Sequence, residues 1–340
     1  MIRVGVIGLG MMGSTHLDAY AKRDDVEVLA VADKDPKRLS GEESAKGNIE
    51  GQAQGGFDLN AEGLRKYDEA SALIADADVD LVDICLVTPL HTAYAVEALQ
   101  AGKHALIEKP LARTYKDAMQ IVEAARTASG FSMCAMCMRF WPGWDWLKQR
   151  VADKTYGAAL SIFFRRVADH PDGPFYANGE ANGGAALDLH IHDTDFVQHL
   201  FGVPKCVSSV GYSQVTSGVD HLITRYEYDT PGRPLVIAEG GWAMAKGFPF
   251  SMRYAVNFEG ATAVYDLADA QPLKVYEPGQ AAQAVPLAPA MGYDFEIAYF
   301  LSCIDKGEAP SVVTLEDAAS AVRIVEAEIE SVQTNRPVAL

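Results

Sequence analysis

The chain has 340 residues, 49% of them hydrophobic, and a formal net charge of −17. That length accommodates two domains with substantial cores, while the charge argues against nucleic acid, which is bound through basic patches that neutralise phosphates. No stretch is apolar enough to span a bilayer, and the five cysteines show no ligand-like spacing, so a membrane partner, a disulfide framework and a zinc module are all disfavoured.

Ile2 to Ile7 reads as a buried parallel strand. Because it begins at the second residue, no cleavable leader is expected. With an odd number of cysteines, this points to reduced thiols in a cytoplasm. The strand runs into Gly8-Leu9-Gly10-Met11-Met12-Gly13 and then a helical pattern, Ser14 to Ala21. A second apolar strand, Val26 to Ala32, ends at Asp33, twenty residues past Gly13. Each part has a physical task. Gly8 permits the tight turn, Gly10 lets backbone amides approach a pyrophosphate, and Gly13 lets the helix sit close on the sheet. The helix N-terminus faces the phosphate charge, and the Asp33 carboxylate accepts hydrogen bonds from an adenosine ribose. NAD is the expected cofactor. NADP is the alternative, because Lys34, Lys37 and Arg38 follow directly.

Past Asp33 the pattern weakens, and Gly47 to Asn60 reads as a long surface loop. Leu81 to Val87 is a third strand, Thr92 to Gln100 a helix stopped by Ala101-Gly102, and His104 to Ile107 a fourth strand. Alternating strand and helix require a parallel, doubly wound sheet. Cys134 and Cys137 lie in the apolar run Phe131 to Met138 and read as buried strand residues rather than a redox or zinc pair.

From about Tyr156 the texture changes. Ala158 to Val167, Lys205 to Gln214, His221 to Tyr228, Leu235 to Trp242, Ser251 to Phe258 and Ala261 to Tyr265 are strand-like, with turn signals such as Thr230-Pro231-Gly232 between them. Short connections imply a mostly antiparallel sheet. Helical patterns return at Tyr293 to Ile304 and Leu315 to Gln333, the second capped by Thr314 with Asp317 three residues on. The fold class is therefore α/β: an N-terminal Rossmann domain over residues 1–124, then an α+β domain over 125–340 with a large open sheet. An open sheet face suits pairing between copies, so a homodimer or homotetramer is expected.

Two constellations carry the chemistry. Glu108-Lys109-Pro110 follows the fourth strand, and the carboxyl ends of parallel strands face the cofactor crevice. In Asp188 to Asp195, a helix starting near Ala186 places Asp188 and His192 four apart on one face, with Asp195 a turn further. A carboxylate beside an imidazole orients it and stabilises its cation, as a general base requires. His190 and His192 diverge on a helix, so no metal is expected there. Arg139, Trp141 and Trp144 follow the domain junction, while Arg165, Arg166 and His170 end a strand; such polar and aromatic groups suit hydroxyl-rich ligands.

These pieces resemble the glucose–fructose oxidoreductase/inositol dehydrogenase (Gfo/Idh/MocA) family over nearly the whole chain. The matching segments are Gly8 to Gly13, Thr88-Pro89 with His91, Ala101-Gly102-Lys103-His104 running into Glu108-Lys109-Pro110, Met138-Arg139-Phe140, and Asp188 with His192 and Asp195. The ending Pro310 to Leu340 also has the family's look. The resemblance implies NAD(P)-dependent hydride transfer between nicotinamide and a secondary alcohol or ketone of a sugar, polyol or derivative. Lys109 matches the family's catalytic lysine, and Asp188 and His192 its acid–base pair. Gly8, Gly10, Met11, Met12, Gly13, Asp33, Thr88, Pro89, His91, Glu108 and Lys109 would contact the cofactor. Arg139, Trp141, Arg166, His170, Asp188, His192 and Tyr293 would contact the substrate. Two departures stand out: a short segment from Pro89 to His91, and His190 where the family usually has glycine, which would add a polar group to the pocket. The competing functions are non-redox sugar chemistry with tightly bound NAD and a non-enzymatic dinucleotide sensor. Retention of Lys109, Asp188 and His192 argues against the sensor.

Overall fold

The structure, a computed structural model, describes residues 1–43, 52, 55–229 and 232–340. Of the expected loop over 47–60, residues 47–51, 53 and 54 therefore lie outside the described residues, as do Thr230 and Pro231 of the expected turn. The chain forms two compact units, residues 1–137 with 291–319, and residues 138–290 with 320–340.

The first unit is built on six parallel strands: β1 (Ile2–Ile7), β2 (Val26–Ala32), β3 (Arg65–Tyr67), β4 (Leu81–Ile84), β5 (His104–Glu108) and β6 (Ser132–Ala135), in the order β3-β2-β1-β4-β5-β6. The order reverses between β1 and β4, which is where doubly wound sheets bind their ligands. Val4, Val6, Leu81, Val82, Ile84, Leu106 and Ile107 are fully buried, as strands covered on both faces must be. A boundary near residue 124 does not hold, because that position falls inside the helix Tyr115–Thr127. The crossover helix delivers β6 to the edge beside β5, with Cys134 opposite Ile107. Cys134 and Cys137 are both buried, as their apolar surroundings imply. After the second unit the chain returns, and the helix Gly292–Lys306 packs on the helix Met11–Tyr20.

The second unit carries a nine-stranded sheet. Its strands are β7 (Ala159–Asp169), β8 (Cys206–Tyr212), β9 (His221–Glu227), β10 (Leu235–Met244), β11 (Ser251–Phe258), β12 (Thr262–Asp266), β13 (Leu273–Tyr276), β14 (Gln283–Ala284) and β15 (Val338–Ala339). They are ordered β14-β13-β12-β11-β7-β10-β9-β8-β15, antiparallel throughout except where β7 runs beside β10. Period-two alternation sends Ile162, Phe164 and Arg166 inward and leaves Phe163 44% exposed. The last long helix, Leu315–Thr334, begins as its sequence signals, with the Asp317 N–H donating to Thr314 Oγ1 at 3.0 Å. Among the described residues no helix is long and apolar enough to cross a membrane.

Candidate functional site

The glycine loop of the first unit is shaped by what a side chain would strike. Gly8 has a φ of 90°, and a Cβ there would stand 2.5 Å from the Cys85 carbonyl oxygen. A Cβ on Gly13 would lie 1.8 Å from the Gly8 carbonyl, so the helix can approach the loop only with glycine at that position. At Gly10, by contrast, a Cβ would meet only the tip of Arg38, at 3.9 Å. The space in front of the loop is open where a pyrophosphate must come close. No side chain caps the N-terminus of Met11–Tyr20, which leaves its first amides available to an anion. Asp33 lies behind the loop. One carboxylate oxygen accepts the Leu9 N–H at 2.7 Å and the other the Asp35 N–H at 2.8 Å, while Arg38 Nη1 stands 3.8 Å away. These residues fit a dinucleotide.

Lys109 leaves the carboxyl end of β5 half-buried. Thr88 is buried and opens a short turn with Pro89 exposed. Two expected cofactor contacts turn inward instead. Both ring nitrogens of His91, 1% exposed, lie 2.8 Å from backbone carbonyls, Nδ1 from Pro110 and Nε2 from Leu86. His91 thus ties the end of β4 to the turn after Lys109, and burial pulls its pKa down. Glu108 is also buried. It accepts the Lys109 N–H at 2.8 Å and faces His16. A buried polar group needs internal partners, and these two have found them away from solvent. Tyr293, expected at the substrate, belongs to the first unit, where Gln52 Nε2 donates to its hydroxyl at 3.2 Å.

In the second unit, Asp188 and His192 do not stand on one continuous α-helix. Ala186–His190 is a π-helical turn that runs into the α-helix Ile191–Phe201. Its wider i→i+5 bonding changes the phase that the four-residue spacing assumes; such turns recur at functional sites. Leu187, His190, Ile191, Asp193, Thr194 and Asp195 are all buried, whereas Asp188 and His192 remain partly exposed. With Leu189, the two expected acid–base residues are what this mostly buried segment leaves partly accessible.

Several other expectations are corrected by burial. Asp195 does not share that accessible side; it is 1% exposed and receives two hydrogen bonds from Arg139, at 2.9 and 2.6 Å. Arg166 makes the same fork with Asp193, at 3.0 and 3.1 Å, and lies over the Trp144 ring. Both arginines are thus counter-ions to buried carboxylates, held in the paired geometry that burial of charge demands. Trp141 is buried and donates to the Tyr265 hydroxyl at 3.2 Å. Trp144 sits in an aromatic cluster with Phe164, Phe196 and Tyr254. Arg165 pairs with Glu239. His170, half-buried, faces the Tyr176 carbonyl and packs edge-on against Trp242. His190 adds nothing polar to a pocket. It is fully buried against Gly240, where a Cβ would lie 2.3 Å from its ring, and it faces Tyr226 and Glu328.

Sequence reasoning missed one cluster altogether. His16, Tyr20, Asp83 and Glu296 are fully or nearly fully buried in the first unit. The signal was present in Asp83, an acid inside an otherwise apolar strand, which must have a buried partner.

Comparison with known proteins agrees with this geometry. Residues 2–135 match the model of an oxidoreductase family with an NAD-binding Rossmann fold, and residues 144–264 match the GFO/IDH/MocA C-terminal domain. Myo-inositol 2-dehydrogenase of Thermotoga maritima is 28% identical over 59% of this chain, which spans only 55% of that relative. Inositol 2-dehydrogenase 2 of Paenarthrobacter aurescens is 25% identical over 98% of the chain and 97% of its own length. In fold, the chain is similar to levoglucosan dehydrogenase solved with NADH and L-sorbose, with a TM-score of 0.84 at 21% identity, covering 99% of this chain and 98% of that one.

Proposed function

Because the chain belongs to the Gfo/Idh/MocA oxidoreductase family, we propose that it is an NAD(P)-dependent dehydrogenase or reductase, with NAD preferred. Its substrate would be a secondary alcohol or ketone of a sugar, polyol or sugar derivative. The observation that carries this reading is the placement of Lys109, half-buried at the carboxyl end of β5, in the same sheet whose β1 feeds the open glycine loop.

When bound, the nicotinamide supplies a carbon that accepts or donates hydride. The chain's own residues do the rest. Gly8, Gly10, Gly13 and the amides of Met11 and Met12 hold the phosphates, and Asp33 holds the ribose. Thr88 and Pro89 border the same strand ends. The Lys109 ammonium hydrogen-bonds the reacting oxygen, stabilising alkoxide character in oxidation and polarising the carbonyl in reduction. His192 removes the hydroxyl proton, with Asp188 orienting the ring.

The second sheet supports association between copies. Its uncovered face shows Phe163, Ile223 and Val210, the last 63% exposed. A homodimer or homotetramer would bury this apolar surface. Buried thiols at Cys85, Cys134 and Cys137 suit a reducing cytoplasm. The test is a panel of sugars, polyols and their keto forms with NAD and NADP in both directions. Turnover of none of them would reject the reading. Turnover without net change in cofactor absorbance would redirect it to non-redox sugar chemistry.

A further inference from the structure

Behind the glycine loop, the first unit buries a set of ionisable groups that hydride transfer does not itself require. His16, three residues after Gly13, is fully buried. Its Nδ1 lies 2.8 Å from Asp83 Oδ2, which also accepts from the Tyr20 hydroxyl at 2.9 Å. The Cys85 thiol donates to the other Asp83 oxygen at 3.4 Å. On the far side of the ring, Nε2 stands 3.3 Å from Glu108 Oε1, a charge contact rather than an aligned hydrogen bond. The second Glu108 oxygen holds the Lys109 N–H. A neutral imidazole carries one proton and would turn a lone pair toward one of the two carboxylates. An imidazolium donates to Asp83 and turns positive charge toward Glu108.

We propose that His16 is a positioning residue for Lys109: as an imidazolium anchored by Asp83, it fixes the Glu108 carboxylate, and Glu108 fixes the main chain of Lys109. The helix that follows the glycine loop is thereby tied to the strand end that presents the lysine. Burial opposes a charged ring, but the Asp83 carboxylate outweighs it and holds the His16 pKa well above the ordinary histidine value. The Cys85 sulfur also faces the ring, 3.5 Å from Nδ1, and the remaining titratable groups facing it come from the helix Gly292–Lys306. Tyr293 lies with its ring centroid 6.5 Å away. Glu296 is fully buried, with neither oxygen hydrogen-bonded. Burial, opposed by the His16 ring and reinforced by Glu108 and Asp83, holds the Glu296 pKa well above the carboxylate range. The ring thus lies between two acidic side chains, Asp83 and Glu108, with Glu296 held toward its neutral form by burial.

The proposal rests on the dehydrogenase reading only for the role of Lys109, and its test has two arms. The first reads the charge of His16 by nitrogen-detected NMR on the whole protein, assigned by loss of the signal in His16→Gln. Both ring nitrogens should carry protons at neutral pH, and in Glu108→Gln the ring should become neutral at a lower pH. The second arm compares His16→Gln, Glu108→Gln and the double variant. Each single change should lower kcat by about ten- to a hundredfold, the scale of a misplaced catalytic group, with NAD affinity kept within about threefold. The double variant should be no worse than the worse single. If His16→Gln does not fold, His16→Asn replaces it in the assignment and in the double variant, and an unchanged kcat in Glu108→Gln alone would still overturn the proposal. A neutral His16 ring in the wild type, additive losses, or a stoichiometric metal ion in the purified protein would each overturn the proposal. If no substrate turns over at all, the dehydrogenase reading fails, and the NMR arm still decides whether the charged pair exists.

Discussion

The Leu9 main chain donates its N–H to the Asp33 carboxylate at 2.7 Å, so the acid that follows β2 also holds the glycine loop. A carboxylate fixed there favours a 2′-hydroxyl and repels a 2′-phosphate. Arg38, 3.8 Å from that carboxylate, is a cation placed to soften the discrimination. Asp33→Ser should shift the ratio of kcat/KM for NAD over NADP toward NADP by on the order of tenfold, about 1.4 kcal/mol. Equal efficiency of the wild type with both cofactors would refute a strict NAD preference.

Lys109→Ala should lower turnover by about 10²- to 10⁴-fold, the range for loss of a positioned proton-transfer group, while cofactor affinity stays largely intact. Lys109→Arg should not restore it, because a guanidinium is bulkier and stays charged. Steady-state kinetics beside NAD titration separates the two effects. Near-normal turnover in the alanine variant would return Lys109 to an ordinary strand-end lysine.

His192, if it is the base, sets the limb of the pH profile on which alcohol oxidation rises with pH, since its protonated form cannot take the hydroxyl proton. His192→Asn should remove that limb together with most oxidative turnover. Asp188→Asn should cost less, because the base remains and only its orienting charge is lost. A limb that survives in His192→Asn would move the proton-transfer role to Lys109 or to a bound water.

Arg139 and Arg166 should report as stability residues. Replacing either with methionine leaves Asp195 or Asp193 buried without its fork, a loss of about 3–5 kcal/mol for a broken buried pair. Urea unfolding should show this as a lower midpoint. A raised KM with unchanged stability would instead restore the substrate contact expected from their position in the sequence.

Glu296 gives a pH dependence of stability with a definite sign. Burial keeps its proton well above the ordinary value of 4.5, so between those limits the unfolded chain releases a proton that the folded chain retains. Its contribution is therefore fully present below that value and is lost as pH rises toward the folded pKa. Glu296→Gln, neutral at every pH, should match the wild type in acid and become progressively more stable than it toward neutral pH. Melting temperatures measured across that range check it, and a constant offset would mean that the carboxyl is not held as an acid.

Much of this protein follows from local sequence. The run from β1 through Gly8, Gly10 and Gly13 to Asp33 is recognisable because each step is a short-range requirement: a tight turn, a close helix, an acid at a strand end. The strands of the second sheet are readable for a similar reason, since burial of one face imposes period two on neighbouring residues. What the tertiary structure alone decided concerns partners distant in sequence. The positions of Arg139 and Arg166 in the sequence suit ligand contacts, and their role as counter-ions is seen only with Asp195 and Asp193 at their guanidinium groups. The π-turn at Ala186–His190 has no period of its own to betray it. His190 looked like a pocket residue until Gly240, on β10, opened room for its ring inside the unit. In sequence, His16 is one polar residue within the helix Met11–Tyr20. Its environment is assembled by β4, β5 and a helix from near the other end of the chain. Hydrogen bonding and charge act through space over a few ångströms, so which residues they join is set by the packing of the elements and not by any spacing along the chain.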